Sequence, residues 1–358
     1  MVLNDTNDEY TKGRGAQYNP ANKFASQSYI RDFAEGIDDW EVNTPKTTYL
    51  QETSKGIANK VPSFDVPMQW SVNPYQGCEH GCIYCYARPT HEFLGYSAGT
   101  DFESKIVVKH NAAELLRQTF TNANWKPETI SLSGNTDCYQ PAERKFKLTR
   151  ELLKVCLEFK NPVAIVTKNA LVLRDLDILQ ELQKYNLIQV TTSITSTNEK
   201  LRLQLEPRTS TYADRFKILE ILNQHQIPTG ILNAPIIPGL NDTDIHDVLK
   251  RAKEAGAQWA DYTIVRLNGS VEPLFIDWLQ KTFPDKASKI LNLIREVHGG
   301  QLGDTRPGKR ITGDGTFADI IHQQFKLYQK KYNYNTEDIV LSTEHFVRRK
   351  PGQLDLFA

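Results

Sequence analysis

The sequence predicts an α/β fold: an incomplete (β/α)6 TIM-type barrel with an N-terminal arm and a C-terminal helical extension. Three observations carry that expectation. From about residue 66 onward, short β-rich runs alternate with amphipathic helical stretches, the pattern of a parallel sheet with right-handed crossovers. Only six strand-helix units fit, fewer than the eight of a closed barrel. The 358 residues are enough for one barrel-sized domain plus appendages, and no internal repeat of fixed period competes with that reading.

In chain order, residues 1–60 are rich in Asn, Thr, Lys and Gly with little periodicity. They read as an extended arm that wraps the main domain or is partly disordered. Strands are expected at 68–72, 129–133, 163–167, 188–193, 229–234 and 259–267, with helices at 112–120, 143–158, 172–184, 212–224 and 243–255 between them. These units make a barrel over 61–270, with its cleft at the C-terminal ends of the strands. Further helices at 274–282, 286–297 and 316–332 form an extension over 271–345, packed against the barrel's side or open edge, and 346–358 is a flexible tail.

Composition narrows the function classes. Apolar residues make up 39% and charged residues 24%, and no run approaches the roughly 18 apolar residues of a membrane helix. Met1 to Tyr18 is polar, without the basic-then-apolar layout of a signal peptide, so a cytoplasmic location is expected. Five cysteines, an odd number with three crowded together, argue for metal ligation and against a disulfide framework. Lys+Arg and Asp+Glu both total 43, so any nucleic-acid contact must be local. Candidate basic patches are Arg306, Lys309 and Arg310, then Lys326, Lys330 and Lys331, then Arg348, Arg349 and Lys350, each of which also reads as a solvated face or charged tail.

The first strand runs through Asn73-Pro74-Tyr75-Gln76-Gly77 into Cys78-Glu79-His80-Gly81-Cys82-Ile83-Tyr84-Cys85. Three thiolates on one short loop can ligate three irons of a cubane 4Fe-4S cluster and leave the fourth iron open to a substrate ligand. Gly77 and Gly81 let the backbone fold closely around it. The competing reading is a structural zinc site completed by His80 or His91. His80 otherwise reads as a loop residue that tunes the cluster by hydrogen bonding.

Cys-x3-Cys-x2-Cys with an aromatic before the last Cys, on the first loop of a partial barrel, resembles the radical S-adenosylmethionine (SAM) superfamily. The resemblance implies that Cys78, Cys82 and Cys85 hold a 4Fe-4S cluster, that SAM binds its open iron, and that one electron cleaves SAM to a 5′-deoxyadenosyl radical. Tyr84 matches the family's aromatic beside the adenine. Within the superfamily, the later strand ends resemble the spore photoproduct lyase-like branch over roughly residues 66–270. Asn135 lies in the Ser133-Gly134-Asn135-Thr136-Asp137 segment, where the family has a Gly-rich stretch for SAM's amino group. Lys168 matches a lysine for SAM's carboxylate and Ser193 a serine for its ribose. Leu205-Glu206-Pro207-Arg208-Thr209-Ser210 and Asn233-Ala234-Pro235-Ile236-Ile237-Pro238-Gly239 also resemble that branch, the latter as an apolar wall for an adenine face.

One departure matters. The hydrogen-donating cysteine of that branch falls on Gly134 here, which puts dimer repair by the same mechanism in doubt. Cys138, four residues on, is the candidate catalytic thiol, with a buried packing role as its alternative. Cys156, on an apolar helical pattern, reads as core. The long segment 86–109 reads as a lid over the cleft.

The tail Gln353-Leu354-Asp355-Leu356-Phe357 follows a Pro351-Gly352 break and resembles the pentapeptide that docks bacterial polymerases and repair proteins on the replication sliding clamp. Its alternative is folding back to bury Leu356 and Phe357. These readings imply a radical SAM enzyme acting on DNA in repair, fed by a reductant such as flavodoxin or ferredoxin. Modification of RNA, peptide or a small molecule is the alternative, because the initiating chemistry does not fix its target. A non-catalytic metal-binding clamp adaptor would leave Lys168 and Ser193 unexplained.

Overall fold

The computed structural model describes residues 10–24, 46–63, 65–66 and 68–348. The Gln353, Leu354, Asp355, Leu356 and Phe357 motif lies outside the described residues, as do Arg349 and Lys350. Ten strands follow in chain order: β1 (Thr48–Glu52), β2 (Ala58–Lys60), β3 (Trp70–Val72), β4 (Tyr75–Gln76), β5 (Lys105–Lys109), β6 (Ile130–Leu132), β7 (Val163–Thr167), β8 (Ile188–Ser193), β9 (Thr229–Ile236) and β10 (Trp259–Ile264). The main sheet has the order β10-β9-β8-β7-β6-β3-β2. Its six strands from β3 to β10 are parallel, each joined to the next by helical crossovers, and β2 closes one edge antiparallel to β3. This is the incomplete six-stranded barrel, open along one side.

Strand alternation explains its two faces. Ile130 and Leu132, Val163 and Ile165, and Ile188 and Val190 recur every second residue and pack outward on the helices Ala112–Thr121, Leu148–Phe159 and Leu176–Gln183. The intervening residues of β7 and β8, Ala164, Val166, Gln189 and Thr191, lie on the other face and are only half-buried. The cleft is therefore lined by small and polar side chains.

The helices Val271–Thr282 and Pro284–Val297 bury Trp278, Phe275 and Ile290 in one apolar core with Ile83 and Tyr84 of the cysteine loop. Trp278 is fully buried, and truncating it to Ala should cost about 3–5 kcal/mol. The helix Thr316–Lys331 covers β9 and β10 through Ala318, Ile321 and Phe325. Beside it, Asn335 and Gln329 take the free amide and carbonyl of Ala260, so the β10 edge is not left open.

Three expectations are corrected. The single helix expected at 143–158 is two, Ala142–Phe146 and Leu148–Phe159, because Lys147 turns left-handed at φ 54° and the buried Glu143 carboxylate receives the amides of Thr149 and Arg150. The segment 86–109, expected as one long lid loop, holds regular structure: a 3-10 helix at Arg88–Leu94, a short helix at Thr100–Ser104, and β5. β5 pairs with β1 and β4 in a second, three-stranded sheet, a partnership no local pattern announces. Finally, β10 stops at Ile264, after a register shift against β9 near Tyr262.

Candidate active site

The cysteine loop is placed by strand ends. β4 hands the chain to Gly77 and Gly81, whose φ of 78° and 68° would strain any other residue. Its backbone is then tied down from several directions. Cys78 N donates to Phe102 O at 2.9 Å, Glu79 N to Gln140 Oε1 at 2.9 Å, and Ile83 N to Leu205 O at 3.1 Å. His80 O accepts from Arg208 N, and Cys82 O accepts two bonds from the Arg88 guanidinium, itself paired with buried Glu103 at 2.5 Å. The arm contributes too. Gly15 and Ala16 amides donate to the Glu103 carboxylate, and Gly15 lies so close to the Gly81 carbonyl that a Cβ there would come within 1.8 Å of it.

Cys78 and Cys82 are buried and Cys85 half-buried, and none is in a disulfide. Burial opposes ionisation of Cys78, but the charge and hydrogen bond of His80 outweigh it and hold the thiol below its ordinary range. Burial pulls His80 down, while Asp137 and Cys78 raise it to about 9. For Asp137, burial pushes up and His80, with the amides of Lys168 and Tyr139, brings it to about 2. Asn169 fixes the other imidazole nitrogen at 3.1 Å. Cys82 is pushed well up, first by burial and then by the charge of Glu206, with Lys168 opposing.

Lys168 stands across from two of these thiols. Burial lowers its pKa, but Cys82 and Glu206 draw it above the ordinary lysine value. The ammonium has no hydrogen-bond or ion-pair partner among the described residues. The hydroxyl of Tyr84 donates to Glu206, which pairs with Arg215, all three buried. Asn135 is exposed on the loop after β6, and Ser193 is buried at the end of β8, donating to Ala234 O at 3.2 Å. The structure thus brings Cys78, Cys82, Cys85 and Lys168 together, with Asn135 and Ser193 on neighbouring strand ends.

Cys138, the candidate catalytic thiol, is enclosed. It is fully buried in the apolar core with Leu152 and Val163, and burial raises its thiol well above the ordinary value. That is a packing position, and Cys156 shares it. Sequence reasoning missed Asp137 as the partner of His80, Glu206 as the partner of Tyr84, and Tyr86, whose hydroxyl reaches across to donate to Gly134 O. A tyrosine directly after the last loop cysteine was the available signal.

The residues fit a cubane cluster and SAM. Among the described residues no three His, Cys, Asp or Glu side chains converge on one metal ion. A cubane takes each thiolate on a different iron and needs no such convergence. An unpartnered lysine beside the thiols suits a carboxylate.

An uncharacterized protein of Mycobacterium tuberculosis is 33% identical over 251 residues, 69% of this chain and 74% of its own. One of Methanocaldococcus jannaschii is 29% identical over 224 residues, 63% and 80% respectively. Among solved structures, spore photoproduct lyase complexed with dinucleoside spore photoproduct matches with a TM-score of 0.59 over 79% of each chain at 14% identity, a likeness of fold. The radical SAM superfamily model matches residues 72–252, from the end of β3 through the cysteine loop to the fifth crossover helix, and the chain belongs to that superfamily.

Proposed function

We propose that this chain is a cytoplasmic radical SAM enzyme of DNA repair, with Cys78, Cys82 and Cys85 as ligands of a 4Fe-4S cluster and Asn135, Lys168 and Ser193 as contacts to SAM. The observation that carries the cofactor assignment is the set of three unbridged thiols, two buried and one half-buried, with the unpartnered Lys168 ammonium across from Cys82 and Cys85. When bound, the reduced cluster supplies the electron that splits SAM's sulfonium. The chain's part is to hold the thiols in one loop, orient SAM's carboxylate on Lys168, and exclude water through the burial of Tyr84, Glu206 and Arg215. DNA as substrate is supported by the fold shared with spore photoproduct lyase and by the Gln353, Leu354, Asp355, Leu356 and Phe357 tail, whose partner would be a sliding clamp. Flavodoxin or ferredoxin suits the need for a one-electron donor.

Anaerobically reconstituted protein should bind about four irons per chain and, with dithionite, form 5′-deoxyadenosine. Cys78→Ala, Cys82→Ala or Cys85→Ala should abolish both. With ultraviolet-irradiated oligonucleotide present, mass spectrometry should find altered DNA. Cleavage of SAM with no change in DNA, but change in an RNA or peptide, would replace the substrate class and leave the cofactor assignment standing. Calorimetry with a purified clamp should give binding near micromolar, about −8 kcal/mol, lost when residues 353–358 are removed.

A further inference from the structure

The mouth of the cleft carries a guanidinium that has no ion-pair partner among the described residues. Arg266 stands two residues beyond the end of β10, at the same ends of the strands as the cysteine loop. Its guanidinium lies 5.6 Å from the centre of the Tyr86 ring. Tyr86 is next to Cys85, is 54% exposed, and is steadied by its hydroxyl's bond to Gly134 O. Among the described residues, the only hydrogen bond of the Arg266 side chain is a long one, 3.3 Å, to the carbonyl of Arg310.

The carboxylates nearby are all engaged elsewhere. Asp65 accepts from Arg310 Nε at 2.6 Å and from Gly308 N at 2.7 Å. Asp304 is held by Arg306 and His298, and Asp314 by Arg306 and Lys309. Arg266 is half-buried, and burial and then the charge of Arg310 pull its pKa below the ordinary arginine value, with Tyr86, Asp65 and Asp304 opposing more weakly. An arginine in that setting is relieved by an incoming anion.

The surroundings say which anion. A planar guanidinium fork matches phosphate with two parallel hydrogen bonds. The exposed Tyr86 ring beside it offers a face on which a base can stack.

We propose that Arg266 binds a phosphate of the substrate strand at the cleft mouth, so that the attached base comes against Tyr86 beside the cysteine loop. The proposal rests on DNA as the substrate. Arg310, pinned by Asp65 and by Ser63 Oγ, positions Arg266 and keeps its charge unneutralised.

Fluorescence anisotropy of the reconstituted protein with a single-stranded oligodeoxynucleotide, over a range of salt, tests it. Loss of one phosphate contact lowers the slope of log K against log salt by about 0.7. Arg266→Gln should show that drop and bind roughly tenfold or more weakly, while Arg266→Lys recovers the slope without full affinity. Arg306→Gln, on the same surface but neutralised by Asp304 and Asp314, should keep the wild-type slope. An oligonucleotide with a neutral methylphosphonate linkage at the contacted position should weaken wild-type binding and not that of Arg266→Gln. Circular dichroism confirms that the variants fold. An unchanged slope in Arg266→Gln, or an equal loss in Arg306→Gln, overturns the phosphate site and leaves DNA as substrate. No binding of any oligonucleotide removes DNA and this proposal together. Binding of an acidic peptide instead, lost in Arg266→Gln, would keep an anion site and overturn phosphate as its ligand.

Discussion

The cysteine loop and the outer lip of the cleft stand at the same strand ends, yet they are built in contrary ways. Around the loop nearly every polar group is buried and answered: Arg88 by Glu103, Arg215 by Glu206, His80 by Asp137, Tyr84 by Glu206. At the lip, Tyr86 and Asn135 are exposed and Arg266 has no ion-pair partner among the described residues. The loop must hold the same geometry through every turnover, which satisfied buried networks provide. On the reading proposed above, the lip receives the substrate from outside, and its open groups are what it offers. Initiating chemistry is thus written in contacts the protein makes with itself, and substrate choice in contacts it lacks.

The sharpest way to break that contrast is to unbalance the loop. Glu206→Ala would leave Arg215 buried without its partner and Tyr84 without its acceptor. Removing one member of a buried pair costs about 3–5 kcal/mol. Thermal unfolding should show a large fall in midpoint, and iron content should fall with it. Were iron retained in full, Glu206 would be a packing residue and not a brace of the loop.

The Asp137–His80 pair offers a pH test in the metal-free protein. Asp137 is depressed to about 2 from an ordinary 3.8, so its contribution to stability is present above the ordinary value and lost as pH falls through 2. His80 is raised to about 9 from 6.5, so its contribution is full below 6.5 and lost as pH rises through 9. Urea unfolding should therefore be most resistant between those limits, by an amount on the order of 2 kcal/mol for the pair. Asp137→Asn should flatten the profile on both sides; a variant as pH-dependent as the wild type would place the titration elsewhere.

Lys168→Ala probes the boundary between the two regions. Loss of a charged donor to a carboxylate weakens binding by about 1.5–3 kcal/mol, so SAM affinity measured by calorimetry should fall about tenfold or more while the absorbance of the cluster stays. Unchanged SAM affinity would reassign the lysine to the charge balance of Cys82 and Glu206.

The barrel was legible in the sequence because its signals are local. The two-residue period of Val163 to Thr167 and of Ile188 to Ser193, and the spacing of Cys78, Cys82 and Cys85, need no knowledge of the rest of the chain. What escaped was non-local. β5 exists because β1, more than fifty residues earlier, pairs with it, and the break at Lys147 is enforced by the buried carboxylate of Glu143. Tyr84 was readable as an aromatic of the loop, but its bond to Glu206, 122 residues away, was not. Arg266 could not be singled out either, because an unneutralised arginine is recognised only once the engagements of Asp65 and Asp304 are known.

The smallest expected effect belongs to Cys138. With Cys138 fully buried in one apolar cluster with Leu152, Val163 and Tyr139, the thiol packs the core and is not exposed to the cleft. Its amide is held by Ser133 Oγ and its carbonyl by Thr149 Oγ1, bonds that any residue at 138 would keep. Cys138→Ala removes only the sulfur's contacts, a change of about 1 kcal/mol. SAM cleavage should proceed at the wild-type rate and the distribution of substrate products should not change. Altered products from this variant, with cleavage intact, would show that the thiol reaches the substrate after all. The contrast drawn above would then fail at one point, since a buried group of the wall would be delivering chemistry to the cleft.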